Sequence, residues 1–199
     1  MIIENNKPIK VIGYPESSMA ESAINFVSLE TQNTIEVITP EVFLNLPNKF
    51  DYQYFVSFCI DMDLRKKVCD EIDNLDLDCI TYVHNTASIC NTVKLGKGVS
   101  IGPFSAVLYS TEIGNHCWIE SYCLVAHHVN MDKGCVLHSG AAIAGKTTVG
   151  KNCTFKFKSS VLNHINIIDD VTVGAYSNVT KDITKPGRYL GSIARYVGE

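Results

Sequence analysis

Residues 99–120 read VSIGPFSAVLYSTEIGNHCWIE, and an aliphatic residue recurs within this stretch at every sixth position. The recurring residues are Ile101, Val107, Ile113 and Ile119. Stepping outward by six in both directions, the same position stays apolar without an insertion from Val83 to Val179. A period of six fits neither the turn of an α-helix, about 3.6 residues, nor the simple alternation of a strand. It is the signature of hexapeptide repeats in a parallel β-helix.

The fifth position of each hexad holds a small or β-branched residue, as at Ser105 and Thr111. Three hexads make one triangular coil, so residues 18 apart in the sequence lie one rung apart, about 4.8 Å. The first and fifth positions then point inward, and the third and fourth lie near the corners. Four cysteines occupy fifth positions and are predicted to be small core residues without a redox role: Cys117, Cys123, Cys135 and Cys153.

Glycine follows the aliphatic residue in several hexads, where we expect a bend that needs a small side chain. These residues are Gly96, Gly102, Gly114, Gly150 and Gly174.

The first 82 residues have a different pattern, in which apolar runs alternate with helix-like segments. Strands are predicted at 9–14, 55–60 and 78–83, and helices at 16–27 and 63–75. This alternation predicts a small open parallel sheet. The fold class is therefore a small Rossmann-like α/β domain at 1–82, which resembles nucleotide-sugar-binding units, followed at 83–199 by an all-β left-handed parallel β-helix and a C-terminal tail.

Composition excludes several classes of protein. The chain has 199 residues, of which 46% are hydrophobic and 19% charged, as in globular proteins. It has no apolar run of membrane-spanning length, and its start, MIIENNKP, lacks the pattern of a secretion signal, so a cytoplasmic location is expected. Eight cysteines without a CxxC pair favour neither a disulfide framework nor a zinc site.

Charge is divided unevenly along the chain. Residues 1–145 carry 9 Lys and Arg against 17 Asp and Glu, whereas residues 146–195 carry 8 against 3. The acidic part argues against nucleic-acid binding, and the basic part favours an anionic ligand. The basic residues are Lys146, Lys151, Lys156, Lys158, Lys181, Lys185, Arg188 and Arg195.

Two adjacent histidines in the stretch LVAHHVN, His127 and His128, occupy the third and fourth positions of one hexad and are predicted to project from a corner. Gly145 lies one coil after His127, and Lys146 one coil after His128. We expect a gap between the imidazole and the glycine in which a backbone N–H is exposed. A base of near-neutral pKa beside a free N–H is the arrangement that acyl transfer requires.

The other histidines allow more than one interpretation. His128 is either part of a solvated face or part of an anion site with Lys146 and His164. His138 stands between Glu120 one coil below and Lys156 one coil above, where it serves structure or contacts an acceptor substrate.

The hexads together with His127 and Gly145 resemble the left-handed β-helix acyltransferases, in particular sugar acetyltransferases of the sialic acid and bacillosamine type. The resemblance is carried by residues 79–107 and 134–153, and by 55–72 before the repeat. It implies a homotrimer that binds acetyl-CoA between adjacent β-helices, with no metal. By position, His127 matches the general base of the family and Gly145 matches the amide that holds the thioester carbonyl.

The resemblance also implies a set of binding residues. Phe157, Gly174 and Ala175 match places that line the pantetheine and adenine, and Arg195 matches a basic residue of the tail. Lys146, Lys158 and Lys181 are further candidates for binding the phosphorylated end of CoA, and His138 is a candidate for contacting the sugar. The phosphate loop of the family is represented only by Gly13 in GYPESSMAES, with Ser17 and Ser18 as candidate helix caps.

The sequence thus predicts an acetyl-CoA-dependent N-acetyltransferase that acts on a nucleotide-linked amino-deoxy sugar for bacterial surface-glycan synthesis, such as O-antigen. O-acetylation of a sugar hydroxyl is the alternative. Two other classes remain open, a non-catalytic trimeric scaffold and a carbonic-anhydrase-like zinc protein, which requires three converging histidines.

Overall fold

The structure, a computed structural model, describes residues 7–28 and 33–198. The chain divides into two compact units, with the division between Tyr82 and Val83. Within the described ranges, no helix has the length and apolar character needed to cross a bilayer.

The N-terminal unit contains a sheet of three parallel strands in the order β2-β1-β3. Its elements in chain order are β1 (Ile9–Ile12), α1 (Ser18–Ser28), β2 (Ile35–Ile38), α2 (Pro40–Leu44), a 3₁₀ turn (Lys49–Asp51), β3 (Gln53–Val56) and α3 (Met62–Asn74). Helix α3 begins where the Asp61 carboxylate accepts a hydrogen bond from the Leu64 N–H at 2.9 Å. Its apolar face packs with the strands in one core.

Two details of this unit differ from the prediction. The strand expected at 55–60 is observed at Gln53–Val56, because the chain leaves the sheet after Val56 to reach the cap of α3. Strand β2 and helix α2 occupy a stretch for which no element was predicted. Thr39 caps α2, and Pro40 in its first turn has its backbone angle already set for a helix.

The second unit confirms the prediction of a parallel β-solenoid, of left-handed type and about six turns. Strand β4 (Tyr82–Val83) spans the division between the units. Face 1 stacks β7 (Ser100–Ile101), β10 (Trp118–Ile119), β13 (Val136–Leu137), β16 (Thr154–Phe155), β19 (Val171–Val173) and β21 (Gly187–Leu190). Face 2 stacks β5 (Ser88–Ile89), β8 (Ala106–Val107), β11 (Leu124–Val125), β14 (Ala142–Ile143), β17 (Ser160–Val161) and β20 (Asn178–Val179). Face 3 stacks β6 (Lys94–Leu95), β9 (Glu112–Ile113), β12 (Asn130–Met131), β15 (Thr148–Val149) and β18 (Asn166–Ile167).

The register of the coil is the predicted one. Val125 pairs with Ile143, and Met131 pairs with Val149, so that partners are 18 residues apart. The coil ends in a hairpin, where β22 (Arg195–Gly198) pairs antiparallel with β21.

Residues at the fifth position point inward, and several of them form side-chain hydrogen bonds in addition to the strand pairing. The Ser105 and Thr111 hydroxyls each donate to a backbone carbonyl of the next coil at 2.6 Å. The thiols of Cys117, Cys135 and Cys153 do the same at 3.1–3.2 Å. This contact explains why the position holds small side chains, many with a hydroxyl or thiol.

The four core cysteines are buried, as predicted. Burial raises the pKa of Cys123 to about 12, and burial raises that of Cys135 well above the ordinary thiol value. A buried thiol that stays protonated is a poor nucleophile, which agrees with a packing role.

The glycines after the aliphatic position lie directly before the turns, where the next coil comes close. From Gly98 to Tyr176 the left-handed residue of the turn is the fourth one, as at Tyr122 and His128, with φ of 58° and 57°. Glycine is instead required by close approach, since a Cβ on Gly114 would lie 2.7 Å from the backbone nitrogen of Lys133 in the next coil.

Candidate active site

His127 lies in the turn that joins face 2 to face 3, between β11 and β12, and is half-buried. We call the column of such turns, residues 108–111, 126–129, 144–147 and 162–165, the His127 corner. The next coil is fixed to it, because the Lys146 N–H donates to the His127 carbonyl at 3.0 Å. The structure therefore brings His127 and Gly145 together.

The imidazole of His127 packs directly against Gly145. A Cβ on Gly145 would lie 2.7 Å from Cε1 and 2.8 Å from Nε2 of the ring. The expected open gap is not found, since Gly145 is buried and the ring occupies the space in front of it. The absence of a side chain at 145 is thus what allows the ring to lie there.

The Gly145 N–H makes no hydrogen bond to any residue that the structure describes. Amides at the same hexad position elsewhere donate to side-chain oxygens, as at Lys97, Ser139 and Lys151. An amide without a protein acceptor, close to an imidazole, is a donor that a carbonyl oxygen of a ligand can use.

Two residues that the sequence did not assign to the catalytic group contact the His127 ring. Nδ1 of His127 lies 3.1 Å from Nδ1 of His128, and the two rings meet edge to face. Tyr109, one coil below, stacks on His127 with ring centroids 5.2 Å apart and planes 10° apart. The 18-residue spacing could have found Tyr109, whereas the contact with His128 depends on side-chain conformation.

A second cluster lies in the turns that join face 1 to face 2, residues 120–123, 138–141, 156–159 and 174–177, which we call the His138 corner. Nδ1 of His138 is 3.0 Å from Glu120 Oε1, and Nε2 is 3.3 Å from Lys156 Nζ. A lysine ammonium only donates, so Nε2 accepts and the imidazole carries its proton on Nδ1. This column has the geometry expected from the sequence.

The Glu120 carboxyl responds to these contacts. Burial alone raises its pKa, but the hydrogen bond from His138, the electrostatic attraction to that ring and the bonds from Ser139 outweigh burial, so the pKa lies below its ordinary value. The other oxygen of Glu120 accepts from the Ser139 N–H at 2.8 Å and from its hydroxyl at 2.9 Å.

We expect Glu120→Gln to lower the free energy of unfolding at pH 7 by about 1 to 2 kcal/mol, because charge-assisted hydrogen bonds are lost. A carboxyl whose folded-state pKa is lowered contributes stability above its unfolded-state pKa, about 4.3. That contribution is lost as the pH falls through the folded-state value. The difference between wild type and variant, measured by urea unfolding at pH 7 and pH 3, should therefore shrink at pH 3.

The matched control for this prediction is Glu112→Gln, which removes an exposed ion pair with Lys94. That variant should change stability much less than Glu120→Gln does at pH 7, because solvent screens an exposed ion pair. A difference for Glu120→Gln that is equal at the two pH values would contradict the assigned contacts.

A cavity of about 570 Å³ opens at the His138 corner, and its lining includes Glu120, His138, Lys156, Phe157, Gly174, Ala175 and Arg188. Leu190 also lines it and covers Gly174, since a Cβ on Gly174 would lie 2.0 Å from Leu190 Cδ2. A larger cavity of about 930 Å³ runs along face 3, but its lining, which includes Asp132, Asp169 and Asp170, contains none of the predicted site residues.

The predicted binding residues fall into separate groups. Lys146 and Lys181 lie at the turns after face 2, with His127. Lys158 lies at the His138 corner, with its Nζ 5.3 Å from the centre of the Phe157 ring. Arg195 begins β22 in the hairpin. Within one chain, the base and the residues expected to line the pantetheine and adenine are therefore at different corners.

The N-terminal unit holds the three remaining predicted residues. Gly13 follows β1, and a Cβ there would lie 2.9 Å from the Ser57 carbonyl oxygen. The Ser17 hydroxyl oxygen accepts from the Ala20 N–H at 3.2 Å and so caps α1, while the side chain of Ser18 lies outside the described residues. Partial burial raises the pKa of the neighbouring Tyr14, and the Glu41 and Asp61 carboxylates raise it further.

Within one chain, the histidines named for the alternative zinc site do not have the geometry of a zinc site. His116, His127 and His138 follow strands of face 3, face 2 and face 1 respectively, so each lies at a different corner of the coil. Three ligands of one zinc ion have to converge on it at about 2 Å, which these positions do not allow.

The fold and these turns define the class of hexapeptide-repeat β-solenoid proteins. No family model matches the sequence. The fold is shared with PerB from Caulobacter crescentus, solved with CoA and GDP-perosamine, at a TM-score of 0.81 and 20% identity over 96% of this chain and 97% of that one. It is also shared with the acetyltransferase domain of PglB from Neisseria gonorrhoeae in complex with acetyl coenzyme A, at a TM-score of 0.84 and 16% identity over 97% and 100% of the two chains. WeeI from Acinetobacter baumannii has a TM-score of 0.71 and 17% identity over 96% and 99%.

The curated relatives match a short part of the chain. Acyl-[acyl-carrier-protein]–UDP-N-acetylglucosamine O-acyltransferase from Brucella ovis is 42% identical over 45 residues, which are 23% of this chain. The match spans 16% of the length of that relative. The resemblance to sugar acetyltransferases is thus confirmed at the level of the fold.

Proposed function

We propose that this protein is an acetyl-CoA-dependent N-acetyltransferase whose acceptor is a nucleotide-linked amino-deoxy sugar. The observation that carries the proposal is the contact between the His127 imidazole and Gly145, whose N–H has no acceptor among the described residues. It occurs in a fold that PerB and PglB share, and those proteins were solved with CoA and GDP-perosamine and with acetyl coenzyme A.

In the proposed reaction the acceptor amine attacks the thioester carbon, and Nε2 of His127 takes the proton that the amine loses. The carbonyl electrons move onto the oxygen, where the Gly145 N–H stabilises the negative charge by about 3 kcal/mol. Collapse of this species forms the amide, breaks the C–S bond and releases the CoA thiolate, to which His127 returns the proton.

A homotrimer is part of the proposal. His127 and Gly145 lie at one corner of the coil, whereas Phe157, Gly174 and Ala175 lie at the His138 corner. A donor molecule between two adjacent coils would contact one corner of each copy. The cavity lined by Lys156 and Arg188 supplies positive charge for its phosphates, and His138 would face the sugar.

The proposal further assigns residues 1–82 to a Rossmann-like unit that binds the nucleotide, and residues 83–199 to the acyltransferase unit, in a cytoplasmic enzyme of surface-glycan synthesis. The parallel order β2-β1-β3 and the Ser17 cap on α1 support this assignment. Glu41 and Asp61 near Tyr14 add negative charge at this end of the sheet, which favours a nucleotide held by its base and sugar more than by its phosphates.

The amine and the hydroxyl acceptor are distinguished by one assay. Purified protein is mixed with acetyl-CoA and a panel of nucleotide-linked amino sugars, each beside its hydroxy counterpart, and the release of free thiol is followed. We expect release only with the amine, since a neutral amine is a stronger nucleophile than an alcohol. Release with the hydroxy sugars alone would establish O-acetylation, and no release with any acceptor would contradict the proposed function.

A further inference from the structure

We propose that His128 is a positioning residue for His127, and that Tyr109 and Gly145 restrict the movement of the His127 imidazole. This inference rests on the proposed function, since it explains how His127 would be held as a base. To act as a base, His127 has to present an unprotonated Nε2 to the acceptor.

The backbone sets the two rings against each other. His128 has a left-handed φ of 57°, so the chain turns between the two histidines instead of sending their side chains to opposite faces. The His128 N–H donates to the Tyr109 carbonyl at 3.1 Å, which fixes the turn to the coil below. The rings then lie edge to face, with centroids 5.2 Å apart.

The contact between the two Nδ1 atoms, 3.1 Å apart, holds one proton. If His127 donates it, Nε2 of His127 keeps its lone pair and can act as a base. His128 then accepts at Nδ1 and carries its own proton on Nε2. If His128 donates instead, the proton of neutral His127 sits on Nε2 and the base is lost.

Packing above and below the ring prevents it from turning away. Tyr109 stacks on one side of His127 at 5.2 Å, and Gly145 leaves no room for a side chain on the other. The face of Tyr109 also stabilises the positive imidazolium that forms when His127 takes a proton. Tyr109 contacts His128 as well, edge to face at 5.5 Å.

Besides the pair itself, the turns of the His127 corner contain three chargeable side chains. Tyr109 lies below it, Lys146 occupies the same fourth position as His128 one coil above, and His164 occupies it two coils above. Histidine gains a proton in mildly acidic solution. One added proton on the pair, on either ring, removes the free Nε2 of His127, and a second proton adds to the loss at lower pH.

Two variants distinguish the effect of the His128 hydrogen bond on activity from the effect of the shape of the side chain. His128→Phe keeps a ring at a left-handed position that Phe104 also occupies with φ of 58°, but it removes the acceptor. His128→Asn keeps an acceptor oxygen and tolerates the same backbone. We expect His128→Phe to lower kcat about 10- to 100-fold, with KM for acetyl-CoA little changed, and His128→Asn to retain most of kcat.

The pH profile adds a readout that a structural role would not change. In wild type, log kcat/KM should fall at the acid end with a slope above one, and in His128→Asn with a slope of about one. The control is Asn163→Ala, an exposed and uncharged side chain of the same corner, which should leave kcat and the profile as in wild type. Equal kcat and equal profiles in wild type and His128→Phe would overturn the inference.

Nitrogen-15 NMR of the histidine-labelled protein tests the inference without the reaction. We expect a protonated Nδ1 and an unprotonated Nε2 on His127 at pH 8. A protonated Nε2 on His127 at that pH would overturn the assignment of His128 as acceptor, whether or not any sugar is acetylated. Thiol release that never occurs in wild type, with the expected NMR pattern, would instead refute only the proposed function.

Discussion

Replacement of His127 by Asn is expected to lower turnover by about 10² to 10⁴, because the reaction would lose its only proposed proton acceptor. Asparagine is smaller than histidine and stays uncharged, so the corner of the coil keeps its shape. The KM for acetyl-CoA should change little, since CoA is proposed to be held mainly by other residues. The measurement is steady-state thiol release with the acceptor that the substrate screen identifies.

The control for this prediction is His164→Asn, which changes an exposed histidine of the same corner and should leave turnover unchanged. Circular dichroism and the size of the oligomer should match wild type in both variants. Turnover near the wild-type value in His127→Asn would refute the role of this imidazole and, with it, the proposed mechanism.

Gly145→Ala is the second change with a large expected effect. The added Cβ would lie 2.7 Å from Cε1 and 2.8 Å from Nε2 of His127, closer than any real contact of that kind. Because the neighbour is the end of a side chain and not backbone, the ring moves while the coil stays in place. Displacing a reacting group by about 1 Å costs about 10²-fold in rate, so we expect turnover to fall by about that factor.

Stability should behave differently from activity in this variant. Gly145 is not among the glycines with positive φ, so alanine is compatible with the backbone, and the free energy of unfolding should stay within about 1 kcal/mol of wild type. The matched control is Asn163→Ala, one coil above Gly145 at the same hexad position, which should leave turnover within a few-fold. Wild-type turnover in Gly145→Ala would show that the position of the ring does not matter.

Much of the fold could be predicted because the repeat is a local property of the sequence. The aliphatic residue at the first position and the small one at the fifth each face the core, so hydrophobic burial fixes the register of every coil. The N-terminal unit was predicted less well, since its short strands and helices lack such a period. There the cap at Asp61 and the pairing of Ile9 with Ile35 and Gln53 decided where elements begin and end.

The role of the glycines also could not be predicted fully from the sequence. Gly114 was expected at a bend, but the left-handed residues of the turns are at the fourth position, and Gly114 is needed because the backbone of Lys133 approaches it. A close approach between coils involves residues far apart in the sequence, and composition alone does not reveal it.

At the candidate site, the 18-residue spacing is enough to place Gly145 one coil above His127, and to place Glu120, His138 and Lys156 in one column. These relations follow from register, and register follows from a hydrophobic period that no side-chain conformation alters. Three contacts could be seen only in the folded protein: His128 meets His127 through Nδ1, Tyr109 stacks on the ring, and the ring fills the space in front of Gly145. The orientation of a side chain at a corner depends on how the rings of three coils pack together, and the hydrophobic period of the sequence does not specify that packing.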